Sequence, residues 1–156
     1  MPLANIHVLA GHPRPVLKQL LREASATFAR ALDAPPDRLQ VWITEVDPAL
    51  YAIAGEPADE VLARVPRAQA EIPLVRLALM EGRSLEMVHR TMAEMSATVA
   101  RVLGSDPQRV RVMIDPVHPD RWAIGGVPAS VARAAELAAR QNAVAAPQAA
   151  TTSLGA

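Results

Sequence analysis

The alternation of apolar and polar positions falls into two kinds of stretch along the chain. Residues 3–9 form a short apolar run in which Asn5 and His7 alternate with Ala4, Ile6 and Val8, the period-two pattern of a strand with one buried face. Gly11 ends it, and Pro13 and Pro15 allow a helix to open but not to contain them, so a helix is expected over about 14–32. Within it Val16, Leu17, Leu20, Leu21, Ala24, Phe28, Ala31 and Leu32 recur at spacings of three and four, which gathers them on one face. Asp33-Ala34-Pro35-Pro36 stops the helix, residues 39–44 read as a second strand, and 51–55 as a small hairpin or edge strand.

The same order then returns. Shifting the chain by 71 residues carries Pro2 onto Pro73 and aligns 2–58 with 73–129 without a gap. Pro2-Leu3 meets Pro73-Leu74, Gly11 meets Gly82, Ser25-Ala26-Thr27 meets Ser96-Ala97-Thr98, and Ala52-Ile53 meets Ala123-Ile124. The second copy has a strand at 74–80, an N-cap at Ser84, a helix face bearing Met87, Val88, Met92, Met95, Val99, Val102 and Leu103, a strand at 110–114 and a hairpin at 122–126.

The chain therefore divides into a first β-α-β unit (1–58), a connecting segment (59–71) holding a short helix interrupted near Pro66, a second β-α-β unit (72–129), an Ala-rich helix (130–141) and a tail (142–156) expected to be disordered. Strands joined by a helix of this length run parallel through a right-handed crossover. A lone unit would leave both sheet edges open, so the two units are expected to pair into one four-stranded sheet with both helices on one face. The fold class is α/β (α+β). With only 3% aromatic residues to cover the other face, oligomerisation is expected.

Composition removes several classes of function. Charges balance at a net of zero, which argues against nucleic acid and membrane surfaces as partners. There is no cysteine, and His7, His12, His89 and His118 include no i,i+4 ligand pair, so no metal site is expected. No run approaches the roughly 18 apolar residues of a membrane span, and the first residues lack the basic start and apolar core of a signal peptide, which makes a cytoplasmic protein the expectation.

The candidate chemistry lies at Pro2. If Met1 is removed, Pro2 carries a free secondary amine at the start of a strand, and an apolar pocket lowers the affinity of such an amine for its proton. A base poised near neutral pH would result. Pro73 follows Ile72, is a tertiary amide, and cannot play that part.

The amino-terminal Pro, the β-α-β unit, Gly82-Arg83-Ser84 ahead of the second helix, Val110-Arg111-Val112 and Trp122-Ala123-Ile124-Gly125-Gly126 together resemble the 4-oxalocrotonate tautomerase family, as do Leu32-Asp33-Ala34-Pro35 and Ile43-Thr44-Glu45 in the first half. The resemblance covers 2–129 and is to the fused, double-length branch, in which a trimer imitates a hexamer of short subunits. It implies a cofactor-independent isomerase that moves a proton between oxygen and carbon of a small unsaturated 2-hydroxy or 2-keto acid. Pro2 would be base and acid, Arg83 and Arg111 would bind the substrate carboxylate, and Trp122 would line the pocket. In the first unit the corresponding positions hold His12, Gln40 and Tyr51, so one unit keeps the base and the other the cations. Decarboxylation, with Asp37 near the position that reaction requires, hydration or dehalogenation, and a non-catalytic trimeric scaffold are the alternatives. Ile53 and Ile124 stand where a water-activating Glu would fall, which disfavours dehalogenation.

Overall fold

The computed structural model describes residues 2–145. The first unit runs β1 (Leu3–Leu9), α1 (Arg14–Ala31), β2 (Gln40–Val46), then a hairpin of β3 (Ala52–Ile53) and β4 (Glu56–Pro57). Two short helices follow, α2 (Ala58–Leu62) and α3 (Arg67–Ala70), separated where Pro66 cannot continue a helix. The second unit repeats the order as β5 (Leu74–Met80), α4 (Leu85–Leu103), β6 (Arg111–Val117), β7 (Ala123–Ile124) and β8 (Val127–Pro128), and α5 (Ala129–Ala132) and α6 (Ala134–Ala145) close the described chain. Ser84 caps α4, its hydroxyl accepting from the Met87 N–H at 3.2 Å.

The four long strands make one sheet in the order β2-β1-β5-β6. Within each unit the strands are parallel, and the units join through β1 and β5, which run antiparallel. The register of that seam sets Asn5 opposite Arg76, two residues that are also each other's counterparts in the repeat. A pseudo-twofold axis therefore passes between them. It leaves the sheet on the helix side between Thr27 and Thr98, again counterparts, whose hydroxyls lie 3.0 Å apart in the buried contact of α1 with α4. The same axis relates the ion pairs Arg101–Glu23 at 2.6 Å and Arg30–Glu94 at 3.0 Å.

Both helices lie on one face of the sheet, and the core fills the layer between. Ala4, Ile6 and Val8 from β1 and Val75, Leu77 and Leu79 from β5 meet Leu17, Leu20, Ala24 and Phe28 of α1 and Met95 and Val99 of α4. On the other face Trp42 and Met113 remain 42% and 39% exposed, an apolar surface left uncovered within one chain.

The expected helix over 130–141 is divided in two. Ala129–Ala132 is the counterpart of the first half's Ala58–Leu62 and belongs to the repeat, and Arg133, at φ −130° and ψ 25°, leaves helical geometry before α6 begins. Residues 142–145, expected to be disordered, continue α6, as strong Ala helix propensity allows. The remainder of the expected tail lies outside the described residues. Among the described residues no helix is long and apolar enough to cross a membrane.

Phe28 is fully buried between helix and sheet. Phe28→Ala is expected to cost about 3–5 kcal/mol, read as a lower urea midpoint at an unchanged slope.

Candidate functional site

Pro2 stands just ahead of β1, buried, with its carbonyl accepting from the Gln40 N–H at 3.2 Å. The antiparallel seam pairs Leu3 with Ala78, so Pro2 lies beside the last residues of β5. There the chain turns out of the sheet at Gly82, whose φ of +91° suits a residue without a side chain, and Arg83 follows. Arg83 Nη1 donates to the Met80 carbonyl at 2.6 Å, which folds the guanidinium back over the end of the strand.

Pro2, Met80 and Arg83 open into one cleft of about 310 Å³. Asp33, Ala34, Pro35 and Arg38, from the segment after α1, form one wall, and Arg133, Glu136, Ala139 and Arg140 at the end of the chain form another. Arg38 holds α6 in place by donating to Glu136 Oε1 at 2.6 Å. That hydrogen bond, opposed by partial burial and aided by the charges of Arg38, Arg133 and Arg140, keeps the Glu136 carboxyl below its ordinary range.

Four guanidiniums thus face the cleft against two carboxylates, Asp33 and Glu136. Burial first, and then the charge of Arg140, push Arg83 down to about 10. Arg83 remains a cation at neutral pH, and its neighbours disfavour that charge. Arg140 Nη1 is buried and has no hydrogen-bond partner among the described residues. A cleft with excess positive charge, a desolvated guanidinium and an unpaired N–H can receive an anion with planar oxygens.

The other residues singled out from the sequence lie elsewhere in the chain. Arg111 opens β6 opposite Leu74, its N–H donates to the Pro73 carbonyl at 2.8 Å, and its Nη1 donates to the Gln108 carbonyl at 2.7 Å. It is therefore at the Pro73 end of the seam, away from Pro2. Trp122 is half-buried and anchors the second hairpin, its carbonyl accepting from the Ala129 N–H at 2.7 Å, but it does not line the Pro2 cleft. Gln40 is exposed, Tyr51 lines a separate small cavity, and His12 is bound to Glu71. Asp37 is exposed and outside the cleft.

Arg133 and Arg140 line the cleft but fall outside the residues that the repeat and the family resemblance single out. The available signal was their spacing: 133, 136 and 140 bring Arg, Glu and Arg near one face of a helical stretch.

A family model described as "Tautomerase enzyme" matches the chain twice, over residues 2–60 and 73–132. The chain belongs to the tautomerase family. Its enzymes are isomerases, and the two matches reproduce the repeat read from the sequence. Similar curated proteins include the 2-hydroxymuconate tautomerase of Pseudomonas fluorescens, 39% identical over 61 residues, which covers 39% of this chain and 97% of that protein. A probable tautomerase of Ralstonia nicotianae is 32% identical over 62 residues, covering 40% of this chain and 89% of the relative. Among solved structures, a native fused 4-OT superposes with a TM-score of 0.73 at 25% identity, covering 81% of this chain and 95% of that one. A wild-type fused 4-OT asymmetric trimer superposes with a TM-score of 0.73 at 22% identity, covering 83% and 98%. This tautomerase thus corresponds in length to the fused structures, while a stretch of 61 residues, about one half of the repeat, covers nearly the whole of a short relative.

Succinate is expected to raise the melting temperature, less so as salt screens the guanidiniums. Arg140→Gln should weaken succinate binding by about 10- to 100-fold, the worth of a charge-assisted hydrogen bond, in a calorimetric titration. It should also move the Arg83 pKa back up from about 10, because the neighbouring positive charge is gone.

Proposed function

We propose that this tautomerase catalyses proton transfer between oxygen and carbon of a small unsaturated 2-hydroxy acid of the 2-hydroxymuconate or phenylenolpyruvate type, with the amine of Pro2 as base and acid. The observation that carries the reading is the meeting of Pro2, Arg83 and Arg140 in one cleft, with an Arg140 N–H left unpaired.

Removal of Met1 converts the Pro2 nitrogen from an amide into a secondary amine. Its surroundings favour the neutral form twice over. The position is buried, and the four guanidiniums in the same cleft, only partly balanced by Asp33 and Glu136, repel a further positive charge. Both effects lower the amine's pKa toward neutrality, where a group can accept a proton and return it with little cost either way.

The substrate carboxylate enters against Arg83 and Arg140, and its charge relieves the repulsion between them. The Pro2 nitrogen takes the proton of the 2-hydroxyl group. The oxygen's electron pair becomes the C2 carbonyl, the conjugated double bond shifts, and the ammonium of Pro2 delivers the proton to C3 or C5. Arg83, which lines the same cleft as Pro2, stabilises the oxyanion that develops.

Arg111 and Trp122 act from a neighbouring protomer in this reading. The fused relatives whose structures are trimers support it, as do the uncovered Trp42 and Met113 and the outer edges of β2 and β6. A homotrimer would set the Arg111 end of one chain against the Pro2 end of the next. Decarboxylation is less well supported, because Asp37 is exposed and outside the cleft.

The intact mass of untagged protein is expected to lack methionine, and ketonisation of 2-hydroxymuconate or phenylenolpyruvate to be lost on Pro2→Ala, about 100-fold or more. Turnover at the solvent rate by the processed protein would overturn the reading. Mixing Pro2→Ala with Arg111→Ala protomers is expected to restore part of the activity that neither variant has alone. No restoration would mean that Arg111 is not donated between chains.

A further inference from the structure

The pseudo-twofold that generates the Pro2 cleft generates a second one around Pro73, at the other end of the β1–β5 seam. Leu9 there takes the place of Met80, His12 that of Arg83, Arg109 that of Arg38 and Gly11 that of Gly82. Pro73 is fully buried and has no amine. What differs most is the occupant.

The connecting segment folds into this second cleft and buries Glu71, which is 1% exposed. The Leu9 N–H donates to Glu71 Oε1 at 2.6 Å, His12 Nε2 donates to Oε2 at 2.7 Å, and Arg67 Nη1 lies 3.5 Å from the same oxygen. Arg109 clamps the backbone on either side, donating from Nε to the Glu71 carbonyl at 3.1 Å and from Nη2 to the Ala70 carbonyl at 2.6 Å. Arg67 closes the top: it donates to the Leu9 and Ala10 carbonyls, and a Cβ added at Gly11 would come within 2.8 Å of its Nη2. At Gly82, the counterpart of Gly11, the same added atom meets nothing within 4 Å. One end is covered and the other open.

Beside Glu71 a cavity of about 110 Å³ remains, lined by His7, Val46, Tyr51, Ile72 and Leu74 among others. His7 Nε2 is buried and without a partner among the described residues.

A carboxylate is costly to bury, and the cost is offset only where donors converge on it. Here a strand-end N–H and the residue in the Arg83 position converge on the oxygens of Glu71. We propose that the Pro73 end is a second carboxylate-binding pocket of this fold, held shut by the chain's own Glu71, and that it accepts a small free carboxylate once that side chain is removed. The inference rests on reading the Pro2 cleft as a carboxylate site. A tethered carboxylate outcompetes free ligand because its effective concentration is on the order of millimolar or higher, so the wild-type chain offers substrate one open pocket.

The test is Glu71→Ala in the full chain, with formate as probe and melting temperature as readout, no turnover being measured. Glu71→Ala is expected to melt below wild type and to regain about 4–7 °C at formate about twenty times its dissociation constant, with chloride at equal ionic strength giving no such gain. Glu71→Gln, which still fills the pocket, should not respond to formate. If Glu71→Ala is unfolded in buffer, formate should restore its refolding. Equal effects of formate and chloride, a Glu71→Gln response as large as that of Glu71→Ala, or no refolding in formate would each overturn the proposal. Failure of the Pro2 assay with formate rescue intact would remove the catalytic reading and leave this pocket standing.

Discussion

One antiparallel seam governs the molecule. Pairing β1 with β5 about Asn5 and Arg76 turns two parallel β-α-β units into a single sheet, and the hydrogen-bond register leaves no freedom in where the ends of those strands fall. The start of each strand comes beside the end of the other. Pro2 accordingly meets the Met80–Arg83 turn, and Pro73 meets the Leu9–His12 turn. A slip by one residue would turn Ala4, Ile6 and Val8 away from Phe28 and Leu20, so the burial that stabilises the core also fixes the geometry of both clefts.

The two ends then differ through side chains alone. At one end a guanidinium at 83 and the arginines around α6 leave positive charge exposed to a cleft. At the other, an imidazole at 12 and a carboxylate at 71 are hydrogen-bonded to each other within the protein. Buried charge needs partners: at the Pro73 end the protein supplies them itself, and at the Pro2 end the substrate carboxylate supplies one in the function proposed above.

Much of this was legible in the sequence because repetition amplifies weak signals. Strands at 3–9 and 74–80 and helices from 14 and 85 could be placed because each was read twice, and the asymmetry between Pro2 and Arg83 was visible once the halves were aligned. Less legible was whatever the repeat does not duplicate. Arg133 and Arg140 lie in or beside an Ala-rich stretch past the second unit, where polar residues look like a solvated face. Glu71 is one acidic residue in a connector, and no pattern announces that it is buried. The distance of Arg111 from Pro2 follows from strand direction: β6 runs parallel to β5, so its first residue lies at the Pro73 end. Spacing along the chain carries no such information.

The covalent connection between the halves has a consequence for how the site can change. In an assembly of identical short subunits, one altered codon alters every copy of a position, so a gain at one site is inflicted on all others. Joining the halves at residues 59–71 gives each position two independent addresses, and His12 can diverge from Arg83 while the shared framework of Thr27 and Thr98 stays matched. The fused chain can specialise one pocket without asking the other to bear the change.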